Sequence, residues 1–309
     1  MLQQNIQPTL QHTLRESFEL EGKGLHTGLR LRARFSPAQA GFGVQICRID
    51  LPDKPTYAAS ALYVSATERG TVLKQGDWGV STIEHAMSAL YAMSVDNCLI
   101  EVDGPEMPIL DGSAKIYVEQ IVRVGLVEQQ AERTFLRLKE SLTLRNEQTG
   151  SWLMLEPAEH FSVQVMVSFD SCVLGEQKAE LADLSDYAAQ VASARTFCFV
   201  REVEPLLKRG YIKGGDLKNA VVIYDEQLEQ VEFDKLADSL GQSINRDARE
   251  LGYLTDLKFS NEPARHKLLD LIGDIALIGR PLLARLTAYK PGHTSNTMFA
   301  KQILEAHVS

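Results

Sequence analysis

Hydrophobic positions repeat in the same order in the two halves of the chain. Alternating and helical patterns in the first half predict strands at residues 29–35 and 43–46, a helix at 82–93, a strand at 98–102 and a helix at 114–124. The second half predicts strands at residues 135–144, 152–155 and 161–169, a helix at 262–278, a strand at 282–289 and a helix at 294–306. Because both halves end in helix, strand, loop and helix, we predict an α+β fold of two similar domains, each a mostly antiparallel sheet with two helices.

The polar stretch at residues 128–133 separates the two patterns, so we predict domains at 1–128 and 129–309. The second half is longer by two segments. Residues 199–223 combine a helical run, glycines and a strand, and a segment of that size inside a domain is usually functional. Residues 225–258 are polar, and either a functional segment or a solvated excursion explains them.

Composition narrows the class of protein. Of 309 residues, 44% are hydrophobic and 24% are charged, which is enough apolar material for a sizeable core. The net charge of −9 argues against nucleic-acid binding, which needs a basic surface to displace counterions from phosphates. The sequence lacks an apolar run of about 18 residues, and its polar N-terminus lacks the pattern of a signal peptide. With four widely spaced cysteines, these features predict a cytoplasmic protein with reduced thiols.

The predicted helix at 262–278 carries the most informative polar residues. At about 100° per residue, His266, Asp270 and Asp274 share a stripe about 80° wide, opposite the apolar side. Asn261 and Pro263 suit the start of this helix. A histidine and a carboxylate one turn apart can reach the same metal ion, although a solvated polar face shows the same spacing.

Ser81 and Glu84 have the spacing of a capping box, in which Glu84 caps its own helix. The alternative is catalytic: His85 supplies a third metal ligand, and Glu84 acts as a base toward water. Three protein ligands with an open fourth position are the pattern of a catalytic zinc site, whereas structural zinc sites are closed by four.

Further polar residues lie in loops at the ends of predicted strands. Lys290 and His293 follow a strand that reads as buried, beside a predicted helix start, and Asp111 has the equivalent place in the first half. Thr196 either offers a hydroxyl to an oxyanion or simply ends a helix. The glycines at 22–28 lack the spacing of a phosphate loop, so we predict a hairpin turn there.

Six short motifs occur in a fixed order along the chain. They are Gly-Lys-Gly-Leu-His-Thr-Gly (22–28), Ser-Thr-Ile-Glu-His (81–85), Pro-Ile-Leu-Asp-Gly-Ser-Ala (108–114), Ala-Arg-Thr-Phe (194–197), Arg-His-Lys-Leu-Leu-Asp-Leu-Ile-Gly-Asp (265–274) and Lys-Pro-Gly-His (290–293). In these motifs the sequence resembles the UDP-3-O-acyl-N-acetylglucosamine deacetylases, zinc amidases of lipid A synthesis, over nearly its whole length. The resemblance implies two domains packed as a β-α-α-β sandwich, with an inserted βαβ element at about residues 198–223.

The resemblance also implies roles for individual residues. The ligands of Zn²⁺ would be His85, His266 and Asp270. The groups that move protons or assist the oxyanion would be Glu84 as general base, His293 oriented by Asp274 as cationic partner or general acid, and Thr196 and Lys267. The residues that contact substrate would be Phe169, Phe197 and Lys290 and, along an acyl passage in the insert, Val200, Val203 and Ile212. Whether Glu84 or His293 protonates the leaving amine stays open.

A member of this family would hydrolyse the N-acetyl group of UDP-3-O-(3-hydroxyacyl)-N-acetylglucosamine and release acetate, the committed step of lipid A biosynthesis. Two alternatives remain, a zinc amidase for another acetylated sugar and a non-catalytic two-domain binding module. The sequence departs from the family pattern at Cys198 (usually glycine, at the entrance to the passage), after Phe169 and at Pro263. These departures are similar to the deacetylase half of a fused form that carries a hydroxyacyl dehydratase domain downstream.

Overall fold

The computed structural model describes residues 9–239 and 250–307, so the first residues of the predicted polar N-terminus and the middle of the 225–258 segment lie outside the described part of the chain. Its strands are β1 Leu10–Leu14, β2 Phe18–Lys23, β3 Arg30–Pro37, β4 Val44–Arg48, β5 Thr56–Ala58, β6 Val64–Ala66, β7 Val72–Gln75, β8 Trp78–Val80, β9 Cys98–Val102, β10 Leu126–Glu132, β11 Leu136–Arg137, β12 Leu142–Asn146, β13 Ser151–Pro157, β14 Ser162–Ser168, β15 Glu176–Leu181, β16 Phe197–Phe199, β17 Val221–Tyr224, β18 Gly252–Tyr253 and β19 Leu282–Tyr289. Its α-helices are α1 Glu84–Ala92, α2 Lys115–Val124, α3 Tyr187–Gln190, α4 Val200–Lys208, α5 Gln230–Ser239, α6 Glu262–Ala276 and α7 His293–His307.

Two large sheets share one topology. The first has the strand order β2-β3-β9-β4-β5, and the second has the order β12-β13-β19-β14-β15, with β11 beside the start of β19. In each sheet the central strand pairs antiparallel with one neighbour (β3 or β13) and parallel with the other (β4 or β14). Helices α1 and α2 flank β9 in the chain, as α6 and α7 flank β19. The predicted α+β fold, with helix, strand, loop and helix closing both halves, is confirmed, while the full β-α-α-β layering stays a prediction.

Smaller sheets hold the remaining strands. Strands β16 and β17 pair in parallel around α4, which confirms the predicted βαβ element, and β18 extends this sheet. Strands β2 and β3 pair antiparallel, so the glycine-rich segment between them is a hairpin loop as predicted. The polar stretch at 128–133 lies mostly in β10, which pairs with β1. The domain division between residues 128 and 129, which we keep as a proposal, therefore falls inside a strand.

Helices α1 and α6 pack against each other and join the two halves of the chain. Gly273 of α6 makes this contact possible, because a Cβ atom at that position would lie 2.0 Å from the carbonyl oxygen of Glu84. The apolar residues of α6 are buried in the main core, with 0% exposure for Leu268, Leu269, Ile272 and Ile275. The close approach leaves the polar stripe of α6 next to the start of α1.

The first turn of α6 differs in one respect from the prediction. Pro263 lies in that turn as expected, but the Asn261 side chain makes no capping hydrogen bond. Its amide nitrogen donates instead to the Lys178 carbonyl oxygen, and its oxygen accepts from Arg265 Nε. Over residues 9–239 and 250–307, none of the helices has the length and apolar character needed to cross a membrane.

Candidate metal centre and active site

Three buried side chains meet where α1 contacts α6. His85 is in the first turn of α1, and His266 and Asp270 are one turn apart on α6. Asp270 Oδ1 lies 3.3 Å from His266 Nε2 and 3.8 Å from His85 Nε2. One donor atom from each residue lies within 4.8 Å of the other two, which is close enough to share a metal ion. The structure therefore brings the three predicted ligands together.

The protonation states of these groups suit metal binding. Burial lowers the pKa of both histidines, that of His85 to about 3, so both rings are neutral near pH 7 and keep a lone pair. Nδ1 of His266 lies 3.1 Å from the Ala194 carbonyl oxygen, which can only accept, so Nδ1 carries the hydrogen and Nε2 is free. Burial opposes the ionisation of Asp270, but His266 and Lys267 outweigh it and lower the pKa of this carboxyl group.

Asp270 Oδ1 gives the strongest indication of a bound cation. This oxygen is buried and has no hydrogen-bond partner among the described residues, whereas Oδ2 accepts from Lys267 Nζ at 2.7 Å. A buried carboxylate oxygen without a donor is costly unless a cation lies beside it. Two imidazole nitrogens and one carboxylate oxygen are a donor set of catalytic zinc sites. The residues present therefore fit a divalent metal ion.

Glu84 is 3% exposed and lines the same cavity as the three ligands. Its Oε2 accepts a hydrogen bond from the backbone N–H of Thr71 at 3.1 Å. Burial raises the pKa of the Glu84 carboxyl group to about 7. A carboxylate with this pKa can take up a proton near neutral pH, which is what a general base requires.

The predicted capping box is wrong. The residue at the N-cap position of α1 is Ile83, and it makes no side-chain capping bond. Thr82, with φ of +58°, turns the chain just before the helix, so Ser81 is too far back to cap it. The Ser81 hydroxyl donates instead to the Pro105 carbonyl oxygen. Glu84 is thereby left to face the cavity.

His293 begins α7 and contacts Asp274, with Nδ1 at 3.0 Å from Asp274 Oδ2. Asp274 is fully buried and also accepts from Asn296 Nδ2 at 2.9 Å and from the Thr71 hydroxyl. Burial opposes the protonation of His293, but Asp274 and Asp270 outweigh it and raise the pKa of the ring to about 9. Near pH 7 His293 is therefore a cation, with Nε2 at 3.8 Å from Asp270 Oδ2.

Thr196 and Lys267 lie on the wall of the same cavity. The backbone of Thr196 is fixed from both sides, because its N–H donates to the Gly112 carbonyl oxygen and its own carbonyl accepts from the Val221 N–H. Lys267 donates to Asp270 Oδ2 and is half-buried. The backbone of Thr196 and the side chain of Lys267 are therefore held at the wall of the site.

Two cavities meet at this point. The first has a volume of about 350 Å³ and contains the candidate ligands, Glu84, His293 and Phe169 in its wall. The second, of about 170 Å³, follows the insert and is lined in part by Cys198, Val203 and Ile212. The residues common to both walls are Leu25, Arg69, Thr196 and Phe197. The second cavity therefore adjoins the charged site, and its wall includes Lys213 and Asp216 as well as apolar side chains.

Two predicted substrate contacts, Val200 and Lys290, are not among the residues that line either cavity. Val200 packs into the small core of the insert, with Leu217, Val222, Tyr224 and Phe233. Packing within the insert thus accounts for Val200 without a ligand. Lys290 extends over the ring of Tyr289, with Nζ at 5.4 Å from the ring centre.

Glu106, which the sequence analysis missed, anchors a loop beside these cavities. Its carboxylate is fully buried and accepts from the backbone N–H groups of His26 at 2.8 Å and Thr27 at 2.9 Å, and from the Thr27 hydroxyl at 2.7 Å. The carbonyl oxygen of Leu25, the residue before His26, accepts from the Gly214 N–H at 3.0 Å and so ties the loop to the insert. In the sequence, only the position of Glu106 just before the third motif pointed to a role for this residue.

Glu262 was also missed. It is fully buried and accepts from the Arg195 N–H at 3.0 Å, from Arg195 Nε at 2.9 Å and from the Lys258 N–H at 2.7 Å. These bonds fix the backbone at Arg195. They therefore also fix the preceding residue, Ala194, whose carbonyl oxygen faces His266. An acidic residue in the first turn of a helix is common for electrostatic reasons alone, so the sequence did not mark it.

Comparison with known proteins shows which proteins this chain resembles. A family model described as LpxC, UDP-3-O-acyl N-acetylglycosamine deacetylase, matches residues 11–238 and 227–305. A bifunctional enzyme LpxC/FabZ of Bacteroides thetaiotaomicron is 52% identical over 295 residues, which cover 95% of this chain and 64% of the relative, and one of Porphyromonas gingivalis gives the same values. This chain therefore spans less than two thirds of the length of these two relatives.

A relative named only as a deacetylase matches over almost its full length. The UDP-3-O-acyl-N-acetylglucosamine deacetylase of a Nostoc species is 36% identical over 299 residues, covering 95% of this chain and 98% of the relative. The chain belongs to the LpxC family of UDP-3-O-acyl N-acetylglycosamine deacetylases.

Proposed function

We propose that this chain uses zinc to hydrolyse the N-acetyl group of UDP-3-O-(3-hydroxyacyl)-N-acetylglucosamine, releasing acetate in the committed step of lipid A biosynthesis. One observation carries the proposal: His85 and His266 converge on a buried Asp270 oxygen that has no hydrogen-bond partner among the described residues. A carboxylate and a cationic histidine line the same cavity. Family membership supplies the substrate class.

The ligands of the metal would be His85, His266 and Asp270. Bound there, Zn²⁺ supplies Lewis acidity, which lowers the pKa of water and polarises the acetyl carbonyl group. The Ala194 carbonyl oxygen orients His266 by accepting from Nδ1, so that Nε2 points to Asp270.

Glu84 takes the proton of the attacking water. Its pKa of about 7 means that a large fraction is ionised near neutral pH and that the acid formed is weak enough to hold the proton. The Thr71 N–H fixes one carboxylate oxygen, Oε2. General base catalysis of this kind typically contributes about 10²–10⁴ in rate.

His293 protonates the departing amine. Nδ1–H of the imidazolium donates to Asp274, so the proton free to leave is the one on Nε2. The buried Asp274 carboxylate keeps the ring charged until the amine departs. Delivery of this proton by Glu84, after it has accepted one from water, is the alternative route.

Thr196 and Lys267 would donate to the oxygen that becomes negative as the amide is attacked. Support comes from their positions on the cavity wall, close to the candidate ligands. One such donor is typically worth about 10²–10³ in rate.

The acyl chain would occupy the second cavity, beside Phe197, Val203 and Ile212. Each methylene buried there contributes about 0.8 kcal/mol, so chain length should govern catalytic efficiency. Cys198 adds a side chain to this wall where glycine is usual in the family. We propose contacts of the nucleoside sugar with Phe169 and Phe197, and of the diphosphate with Lys290 from the end of β19.

The setting of the reaction is part of the proposal. We propose that the enzyme works in the cytoplasm and that the full-length protein continues into a hydroxyacyl dehydratase domain. The two-part names of the bifunctional relatives support this second point.

Metal analysis combined with acetate release tests the function. The proposal expects stoichiometric zinc and rapid acetate release from the acylated UDP-sugar, but slow release from the same sugar without its 3-O-acyl chain. Equal rates on both would favour a zinc amidase for another acetylated sugar. A chain without bound zinc and without turnover would instead be the non-catalytic binding module.

A further inference from the structure

Thr71 lies between the two groups that would move protons. It is fully buried, immediately before β7. Its backbone N–H donates to Glu84 Oε2 at 3.1 Å, and its hydroxyl donates to Asp274 Oδ1. The same hydroxyl oxygen is 3.3 Å from His293 Nδ1. One residue of the first half thus contacts the candidate base and both members of the candidate acid pair.

The turn that carries Thr71 closes over Glu84. Arg69 has a φ of +64°, and a Cβ atom on Gly70 would come within 3.1 Å of Glu84 Oε1. The absence of a side chain at Gly70 lets the backbone approach the carboxylate, so the Thr71 N–H can reach the other oxygen. Local geometry therefore aims this residue at Glu84.

The hydroxyl of Thr71 completes the hydrogen bonding of the Asp274 carboxylate. Nδ1–H of His293 and Nδ2–H of Asn296 both donate to Asp274 Oδ2, while the Thr71 hydroxyl donates to Oδ1. Because donors hold both oxygens, the plane of the carboxylate is fixed and Oδ2 stays directed at His293. Without that hydroxyl, Oδ1 of a fully buried aspartate would lose this donor.

We propose that Thr71 is a positioning residue, whose hydroxyl orients the Asp274–His293 pair while its N–H orients Glu84. The inference rests on the proposed function. It assigns Thr71 no contact with substrate, so loss of the hydroxyl should lower the rate of the bound complex and leave substrate binding unchanged.

The test compares Thr71→Ser with Thr71→Ala in the full chain with its bound metal. These variants both lack the threonine methyl group and differ by one oxygen atom, and both keep the N–H that holds Glu84. Thr13→Val is the control for removal of a buried hydroxyl elsewhere, since among the described residues the Thr13 hydroxyl bonds only to the backbones of Asn97 and Ala38, which lie away from the site. The readouts are kcat, KM, bound metal and the thermal unfolding midpoint.

Thr71→Ala should lower kcat about ten- to a hundredfold with KM within about twofold, the range expected for losing one bond to a charged group. Thr71→Ser should restore kcat to within about threefold of the parent, and metal content should be the same in both. Thr13→Val should leave kcat unchanged. Equal kcat for the serine and alanine variants, or a loss that appears in KM or in metal content, would overturn the proposal. An inactive but metal-loaded parent chain would instead refute the proposed function.

Discussion

Gly273 lies directly against the carbonyl oxygen of Glu84, so close that a Cβ atom would come within 2.0 Å of that oxygen. The obstacle is backbone, which cannot rotate aside as a flexible side chain can. This contact sets the separation of α1 and α6, and with it the distance from His85 to His266 and Asp270. A glycine, which has no side chain to bind a metal, therefore controls the geometry of the candidate metal centre.

Gly273→Ala should separate the two helices. We expect a loss of about 1–3 kcal/mol in the free energy of unfolding, the usual cost of overpacking, and a weaker affinity for zinc. Urea denaturation and competition with a fluorescent zinc chelator measure the two effects. Gly41→Ala is the comparison, because a Cβ there meets nothing within 4 Å and only the φ of +78° is strained. Unchanged zinc affinity in Gly273→Ala would show that the helix contact does not set the metal geometry.

Ligands and base should respond differently to substitution. His266→Ala and Asp270→Ala should lose bound zinc and turnover together, because each removes one donor of three. Glu84→Gln should keep zinc and lose about 10²–10⁴ in kcat, the usual contribution of a general base. Atomic emission analysis of the purified variants, run beside the acetate assay, separates these outcomes. Loss of zinc from Glu84→Gln would make Glu84 a ligand.

Glu262 should make stability depend on pH. Burial opposes its ionisation, but the hydrogen bonds from Arg195 and Lys258 outweigh burial and lower its pKa below the ordinary 4.5. The unfolded chain therefore binds the proton more readily, so this stabilisation is present above about pH 4.5 and is lost as the pH falls through the lower folded-state value.

Glu262→Gln should accordingly cost about 2–4 kcal/mol near pH 7, because it leaves the buried Arg195 without its charged partner. The difference between the variant and the parent in the free energy of unfolding should shrink as the pH falls below 4.5. Urea denaturation across a pH series at constant ionic strength gives this curve. Asp103→Asn, which removes the charged partner of the exposed Arg32, should cost much less, because water screens this pair. A difference for Glu262→Gln that does not vary with pH would be inconsistent with a lowered pKa.

The second cavity should select acyl length. Val203→Trp should fill it, penalising a long-chain substrate strongly while sparing a short-acyl analogue. Val200→Trp is the matched control on the same helix, since Val200 packs in the core of the insert. It should lower stability and leave the ratio of rates unchanged. Equal losses on both substrates for Val203→Trp would refute the acyl passage.

The residues that form α6 show how much of the fold could be predicted from the sequence. Their helical spacing and the terminating Gly279 predict a helix from 262 to 278, and the structure has Glu262–Ala276. The same spacing puts His266 and Asp270 on one face. In contrast, β10 has polar side chains at Glu128, Gln129, Gln130 and Glu132, and its apolar residues do not alternate with them, so the pattern did not reveal a strand.

Long-range contacts set the limit of prediction at the site. Nothing local in the sequence relates Thr71 to Asp274, which are 203 residues apart, or Glu106 to His26, which are 80 apart. Ser81 and Glu84 show the converse, because their local spacing predicted a cap that the tertiary contacts of both residues override. Local patterns predicted elements and candidate ligands, whereas the groups that orient these side chains could be found only in the fold.

Acetate release during zinc titration of chelator-treated protein tests most directly whether the three ligands form a catalytic metal site. With UDP-3-O-acyl-N-acetylglucosamine as substrate, the metal-free chain should be inactive, and activity should rise with added zinc until about one equivalent per chain is bound. His85→Ala at the same zinc concentrations should stay inactive. Acetate release that survives chelation, or that zinc restores equally to His85→Ala, would contradict a zinc-dependent deacetylase built on His85, His266 and Asp270.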